Sequence, residues 1–109
     1  MNKELLISSI RSIPDFPKEG ILFRDVTTLF KSPEAFREAV DARYELYKDK
    51  GITKVAGLES RGFVLGAALA YKLGAGFVTI RKPGKLPCDT YSEEYLKECG
   101  TETLEIHTD

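Results

Sequence analysis

The N-terminal half of the chain shows helical spacing of its apolar residues, interrupted by turn residues. Apolar side chains recur at helical intervals from residue 3 to Ile13, and Pro14 and Pro17 end the pattern, which predicts a short helix followed by a turn. A second helix is predicted to begin after Ser32, a favourable N-cap residue, because Pro33 suits the first helical position. Its predicted apolar face consists of Phe36, Val40, Tyr44 and Tyr47.

The C-terminal half carries the pattern of a βαβ unit. Residues 54–58 are short and apolar, 63–74 fit an apolar helix that ends at a glycine, and 77–82 have the composition of a strand. This order predicts a parallel sheet with a right-handed crossover. Residues 103–108 alternate like a third strand, and the polar segment 83–100 is predicted to be a long surface loop. The predicted class is therefore α/β.

Length, charge and apolar runs argue against several classes of protein. A chain of 109 residues fits one small domain, and a formal net charge of −1 argues against nucleic-acid binding through bulk charge. The longest apolar run, 64–70, is far shorter than the roughly 20 residues of a membrane span. With no signal-peptide pattern, we expect a soluble cytoplasmic protein. Cys88, Cys99 and the single histidine, His107, lack the spacing of a zinc site or a disulfide framework.

The motif GLESRGF, residues 57–63, places polar residues between a predicted strand and the helix that follows it. In a βαβ unit this turn meets the positive end of the helix dipole, which favours anions. Ser60 could cap the helix, and the guanidinium of Arg61 could bind a phosphate with two hydrogen bonds. An equally acceptable interpretation is that Arg61 is solvated and forms a surface pair with Glu59.

A second cluster, residues 20–30, embeds charged residues among apolar ones. Arg24 and Asp25 are flanked by Phe23 and Val26, which could line a pocket for a flat ring edged with hydrogen-bonding groups. The alternative is a buried Arg24–Asp25 pair that holds a loop.

A third cluster is cationic and follows the second predicted strand. Arg81, Lys82 and Lys85 would suit a polyphosphate, although a solvated basic turn is the usual explanation for such a run. Carboxylates on the loop beyond it could handle a substrate proton once water is excluded, or could simply be solvated. These carboxylates are Glu93, Glu94 and Glu98.

The chain resembles the purine phosphoribosyltransferase family of type I in four segments that occur in the family's order across essentially its whole length. These segments are FRDVTTLF, ESRGF, IRKPGKLP and LEIH. The resemblance implies the N-terminal part of that fold, a parallel sheet flanked by helices and incomplete at its C-terminal side, as one partial domain over 1–109. Residues 1–30 would form a hood over the base, and 83–100 a mobile loop. The implied reaction transfers a ribose 5-phosphate group from phosphoribosyl pyrophosphate, with Mg²⁺, to N9 of adenine, giving AMP and pyrophosphate.

The resemblance also implies roles for single residues. Phe23 and Arg24 match positions that contact adenine, and Ser60 and Arg61 match the loop that holds pyrophosphate. Glu98 matches a catalytic carboxylate beside the base, where it would orient adenine and manage its ring protons. Basic residues at the base of the mobile loop match pyrophosphate ligands, some of which reach a neighbouring subunit and so imply a homodimer. These are Arg81, Lys82 and Lys85.

The chain departs from the family pattern in two places. Cys99 stands where the family usually has a tyrosine. The phosphoribosyl pyrophosphate signature, paired aspartates followed by a Thr-Gly-Gly-Thr turn, is expected shortly after LEIHTD and does not occur up to Asp109. Without the strand that carries this signature, we expect exposed hydrophobic surface, poor stability and activity that belongs to a complete enzyme.

Two other functions remain open on the sequence. One is a short, non-catalytic paralogue that binds purine or pyrophosphate, or that regulates a full-length homologue by pairing with it. The other is a phosphoribosyltransferase for a different base, such as xanthine or a pyrimidine.

Overall fold

The computed structural model describes residues 1–97 and 100–109, which form two units, Met1–Leu46 and Tyr47–Asp109. The first unit contains α1 (Lys3–Ser8), β1 (Arg11–Pro14), β2 (Leu22–Asp25), α2 (Thr27–Lys31) and α3 (Pro33–Tyr47), whose last residue falls in the second unit. The second unit contains β3 (Lys54–Leu58), α4 (Arg61–Leu73), β4 (Gly76–Arg81), β5 (Thr90–Lys97) and β6 (Gly100–His107).

The N-terminal helix is shorter than its apolar pattern predicts. It ends at Ser8, and Ile13 lies in β1, opposite Phe23 of the antiparallel strand β2. The hydroxyl groups of Ser8 and Ser9 donate to the Leu5 carbonyl oxygen, at 3.1 and 2.7 Å. Such side-chain bonds compete with helix continuation, and pairing with β2 gives residues 11–14 a different set of backbone partners.

Helix α3 confirms the prediction for its start and corrects the one for its buried face. Ser32 Oγ accepts a hydrogen bond from the Ala35 amide at 3.2 Å, and the helix begins at Pro33. Of the predicted face only Val40 is buried, and the other buried residues of the helix are Ala35 and Ala39. The buried stripe therefore includes small residues that a pattern of large apolar side chains does not reveal.

The second unit is a four-stranded sheet in the order β3-β4-β6-β5, with helix α4 packed on β3 and β4. Strands β3 and β4 are parallel, from Lys54 opposite Gly76 to Leu58 opposite Ile80, which confirms the βαβ unit and the α/β class. The sheet is mixed rather than parallel, because β6 runs antiparallel to both β4 and β5. A parallel neighbour needs a crossover connection, usually a helix, whereas the segment before β6 forms a strand that pairs with it.

The polar segment 83–100 was predicted to be a loop, but part of it is strand β5. Thr90 lies opposite His107 and Lys97 opposite Gly100, so β5 pairs with β6 along its whole length. Seven of the eight β5 residues are exposed, which explains their polar composition. Main-chain pairing with β6 stabilises this strand, and residue composition alone does not reveal such a partner.

Helix α4 lies close to the sheet because two glycines leave room for Phe77. A Cβ atom at Gly57 would lie 2.6 Å from Phe77 Cζ, and one at Gly66 would lie 2.7 Å from Phe77 Cε1. Phe63 meets the Phe77 ring edge-on, with centroids 5.9 Å apart. As predicted, the helix ends at Gly74, whose φ of 72° is left-handed. No helix among the described residues is long and apolar enough to cross a membrane.

Candidate active site

The loop between β3 and α4 presents its polar residues at the carboxyl end of the parallel strands. Ser60 and Arg61 are both exposed, and the Glu59–Ser60 peptide is cis. Ser60 occupies the N-cap position of α4, but its side chain makes no capping hydrogen bond, so the predicted cap is wrong. The first turn of a helix has backbone N–H groups that lack intrahelical acceptors, and these favour an anion beside the loop.

Glu59 connects this loop to the end of β4. Its Oε1 accepts hydrogen bonds from the Lys82 amide and from Arg81 Nε, both at 3.1 Å, and its own amide donates to the Ile80 carbonyl oxygen at 2.9 Å. The hydrogen bond from Lys82 is the largest cause of a lowered pKa of Glu59, and the charges of Arg81 and Lys85 lower it further. The sequence offered Glu59 only as a partner of Arg61, and its contacts with the cationic segment were missed.

Residues 81–85, which we call the basic turn, carry the three predicted cations. The Lys85 amide donates to the Lys82 carbonyl oxygen at 3.3 Å, and Gly84 has a φ of 81°. Lys82 and Lys85 are exposed, whereas Arg81 is half-buried with its guanidinium carbon 5.7 Å from the centre of the Phe63 ring. Ser60, Arg61 and the basic turn therefore lie at the same end of β3 and β4, joined through Glu59.

In the first unit, the candidate base-binding residues lie on a two-stranded sheet. Phe23 is half-buried and meets Phe16 edge-on at 5.2 Å between centroids, while Arg24 is exposed and its Nη1 donates to Ser12 Oγ. Because neighbouring residues in a strand point to opposite faces, the side chains of Phe23 and Arg24 lie on different faces of the two-stranded sheet. A single flat ligand ring could contact both side chains only at the edge of β2.

Asp25 forms a different pair from the one predicted. It is buried, and its Oδ2 accepts hydrogen bonds from Nε and Nη2 of Arg11 rather than pairing with Arg24. Its Oδ1 accepts from the Thr27 hydroxyl at 2.7 Å and the Thr27 amide at 2.9 Å. These bonds, the Thr27 hydroxyl first and Arg11 next, lower the pKa of Asp25 from 3.8 to about 2. The turn residues in 14–20 were the available signal for a hairpin that aligns Arg11 with Asp25.

Glu98, the predicted catalytic carboxylate, and Cys99, the departure from the family pattern, lie outside the described residues. Within residues 1–97 and 100–109, no group of three or more His, Cys, Asp or Glu side chains could hold a metal ion.

Comparisons with known proteins identify close relatives, although no protein-family model matches the chain. An adenine phosphoribosyltransferase from Phocaeicola vulgatus is 63% identical over 109 residues, which are 100% of this chain and 63% of that protein. A crystal structure of adenine phosphoribosyltransferase from Thermoanaerobacter pseudethanolicus matches with a TM-score of 0.90 and 48% identity, covering 97% of this chain and 62% of that one.

A ligand-bound structure also matches. The adenine phosphoribosyltransferase of Saccharomyces cerevisiae, complexed with adenine and D-2,5-dideoxy-2,5-imino-altritol 1,6-bisphosphate, is 41% identical with a TM-score of 0.86, covering 95% of this chain and 61% of that one. The chain thus spans about three fifths of the length of the relatives it matches. Sequence and fold together confirm that this chain resembles, along its whole length, the adenine phosphoribosyltransferases of the purine phosphoribosyltransferase family.

Proposed function

We propose that this chain carries base- and pyrophosphate-binding parts of an adenine phosphoribosyltransferase, which converts adenine and phosphoribosyl pyrophosphate to AMP and pyrophosphate. The observation that carries the proposal is the grouping of Ser60, Arg61, Lys82 and Lys85 at the carboxyl ends of two parallel strands. Ligands of open α/β sheets bind at such ends. The names of the relatives, and the adenine bound in one of their structures, indicate the substrate.

In this proposal the cations act on the leaving group. Positive charge develops on the ribose as pyrophosphate departs, so the side chains of Arg61, Lys82 and Lys85 would stabilise the negative charge that collects on the phosphates. Ser60 would donate a hydrogen bond from its hydroxyl group to a phosphate oxygen. Arg81, predicted as a pyrophosphate ligand, has its Nε bound to Glu59, so we assign it chiefly to holding the loop and the basic turn together.

We propose that Mg²⁺ arrives with phosphoribosyl pyrophosphate. Phosphate oxygens are ligands that Mg²⁺ prefers, and the ion would supply Lewis-acid charge to the departing pyrophosphate. We assign no side chain of this chain to the metal, because the described residues offer no cluster that would hold it.

The other parts of the proposal follow the family resemblance. Phe23 and Arg24 would contact adenine as part of a hood formed by residues 1–30. Glu98 would orient the base and manage its ring protons. Segment 83–100 would be the mobile loop of the family, and residues 1–109 would form one partial domain. Basic residues at the base of this loop would reach a neighbouring subunit of a cytoplasmic homodimer.

The test is conversion of labelled adenine to AMP by the purified chain, with phosphoribosyl pyrophosphate and Mg²⁺ present. If the chain forms AMP, Arg61→Ala should lower the rate about 100-fold or more, as removal of one charge-stabilising donor typically does. Arg37→Ala, which removes an exposed arginine from α3, is the matched control and should leave the rate unchanged. Turnover that survives Arg61→Ala would either contradict the proposed role of Arg61 or come from a contaminating enzyme, and further purification of the variant distinguishes the two.

A folded chain that binds magnesium pyrophosphate but makes no AMP would fit the proposal, because it would carry binding parts of a catalyst without being a catalyst by itself. Faster turnover of another base in a panel of purines and pyrimidines would replace adenine as the substrate.

A further inference from the structure

Glu105 lies where three segments of the second unit meet. It is half-buried on β6, opposite Arg81 of β4 and Ser92 of β5. Its Oε1 accepts a hydrogen bond from the Gly84 amide at 3.0 Å. Its Oε2 accepts from Ser92 Oγ at 3.1 Å and, at a longer 3.4 Å, from Thr90 Oγ1. One carboxylate therefore joins the basic turn to the β5–β6 hairpin.

The basic turn is a tight turn whose backbone amides bind carboxylates. Pro83 and Gly84 occupy the central positions, and the positive φ of Gly84 fits a type II turn. The Gly84 amide binds Glu105, and the Lys82 amide binds Glu59. A peptide N–H bound to a carboxylate is a charge-assisted hydrogen bond, stronger than one between neutral groups. Glu59, directly after β3, and Glu105, within β6, thus both bind the backbone that carries Lys82 and Lys85.

We propose that Glu105 is a positioning residue: it holds the basic turn against the hairpin and so presents Lys82 and Lys85 to the phosphate groups of the ligand. This inference rests on the proposed function, because the anion is the pyrophosphate of that reaction. The bonds to Ser92 and Thr90 add a consequence, since any movement of β5 is transmitted through Glu105 to the two lysines.

The two possible roles of Glu105, as a negative charge near the anion and as an anchor of the basic turn, predict different effects of substitution. If the carboxylate acted only as a negative charge near the anion, its neutralisation would strengthen pyrophosphate binding. If it acts by holding Gly84, a side chain that keeps the charge but cannot reach the turn would weaken binding. Glu105→Asp keeps the charge and shortens the side chain, whereas Glu105→Gln keeps the length and an acceptor oxygen but loses the charge.

The experiment measures two quantities for each variant: hydrogen exchange of the Gly84 amide by NMR, and calorimetric binding of magnesium pyrophosphate. For Glu105→Asp we expect about 10-fold faster Gly84 exchange and about 5- to 10-fold weaker binding, as loss of a charge-assisted hydrogen bond implies. Glu105→Gln should stay within about 3-fold of the unaltered chain in exchange and bind pyrophosphate at least as tightly. Glu102→Asp is the control, because Glu102 lies on the same strand but binds Lys97 and Tyr95.

Unchanged Gly84 exchange in Glu105→Asp would overturn the inference, as would weaker binding in Glu105→Gln but not in Glu105→Asp. If the unaltered chain binds no pyrophosphate, the proposed function fails and the ligand role of Glu105 fails with it. The exchange comparison then still decides whether Glu105 holds the turn.

Discussion

At the scale of single residues, Asp25 is the clearest example of a charge that the fold uses. It is the one charged side chain that is buried among the described residues, and both of its oxygens accept hydrogen bonds. Arg11 comes from β1 and Thr27 from the start of α2, so Asp25 ties three consecutive elements together. A buried carboxylate is tolerated where such bonds replace water, and its loss leaves the donors without an acceptor.

The lowered pKa of Asp25 gives a prediction for acid stability. Because the folded pKa of about 2 lies below the ordinary value of 3.8, the ionised carboxylate stabilises the fold fully above about pH 4 and progressively less as the pH falls towards 2. Asp25→Asn should lower the urea midpoint at pH 7 and remove part of the decline between pH 4 and 2. Asp49→Asn changes an exposed aspartate and is the control. Identical pH dependence in all three proteins would contradict this role.

At the scale of elements, the packing of α4 on the sheet depends on the absence of a side chain at Gly57. A Cβ atom there would meet the Gly62 carbonyl oxygen and the Phe77 ring, both at 2.6 Å. Gly57→Ala should therefore destabilise the chain by about 1–3 kcal/mol, the usual range for overpacking, as measured by urea denaturation. Gly62→Ala is the matched control, because its Cβ atom would come no closer than 3.4 Å to its neighbours. Equal stability of the two variants would show that the helix can move away from β3 without cost.

Elements whose ends depend on local chemistry were predictable from the sequence. The start of α3 follows from Ser32 and Pro33, and the end of α4 from Gly74, because caps act within a few residues. The same holds for the candidate anion site, since the order strand, loop and helix places Ser60 and Arg61 at the end of a strand.

Features that depend on distant partners were not predictable in this way. The antiparallel direction of β6 and the strand character of β5 depend on their pairing, and exposed glutamates conceal the strand pattern. Asp25 finds Arg11 fourteen residues away, so the neighbouring Arg24 was the wrong partner to choose. Glu105 reaches Gly84 across 21 residues of sequence, and its anchoring role appears only once the hairpin is formed.

At the scale of the whole molecule, few large apolar side chains are buried among the described residues. Within residues 1–97 and 100–109 no large side chain is fully buried, and the buried hydrophobic residues are Leu29, Ala35, Ala39, Val40, Leu69 and Ala70. The sheet of the second unit carries a depression of about 310 Å³ with an apolar lining that includes Leu58, Ile80 and Leu104. A small core leaves little free energy to offset the conformational entropy of the chain.

The exposed edge of β3 makes self-association the expected behaviour of this chain. In the described part of the sheet β3 has a partner on one side only, and Leu58 at its end is 50% exposed. An unpaired strand edge with apolar side chains beside it is a template for another chain. We therefore expect a low urea midpoint and an apparent mass that rises with concentration between about 10 μM and 1 mM in analytical ultracentrifugation.

The site of association can be tested with one pair of substitutions. Leu58→Lys puts a charge at the end of the β3 edge and should shift the association to higher concentration, because edge lysines oppose strand addition. Leu46→Lys makes the same change at another exposed leucine, in α3, and should leave the association unchanged. If both substitutions have the same effect, association depends on general hydrophobicity rather than on this edge. A monodisperse monomer that melts cooperatively at about 45–65 °C would contradict the expectation of poor stability altogether.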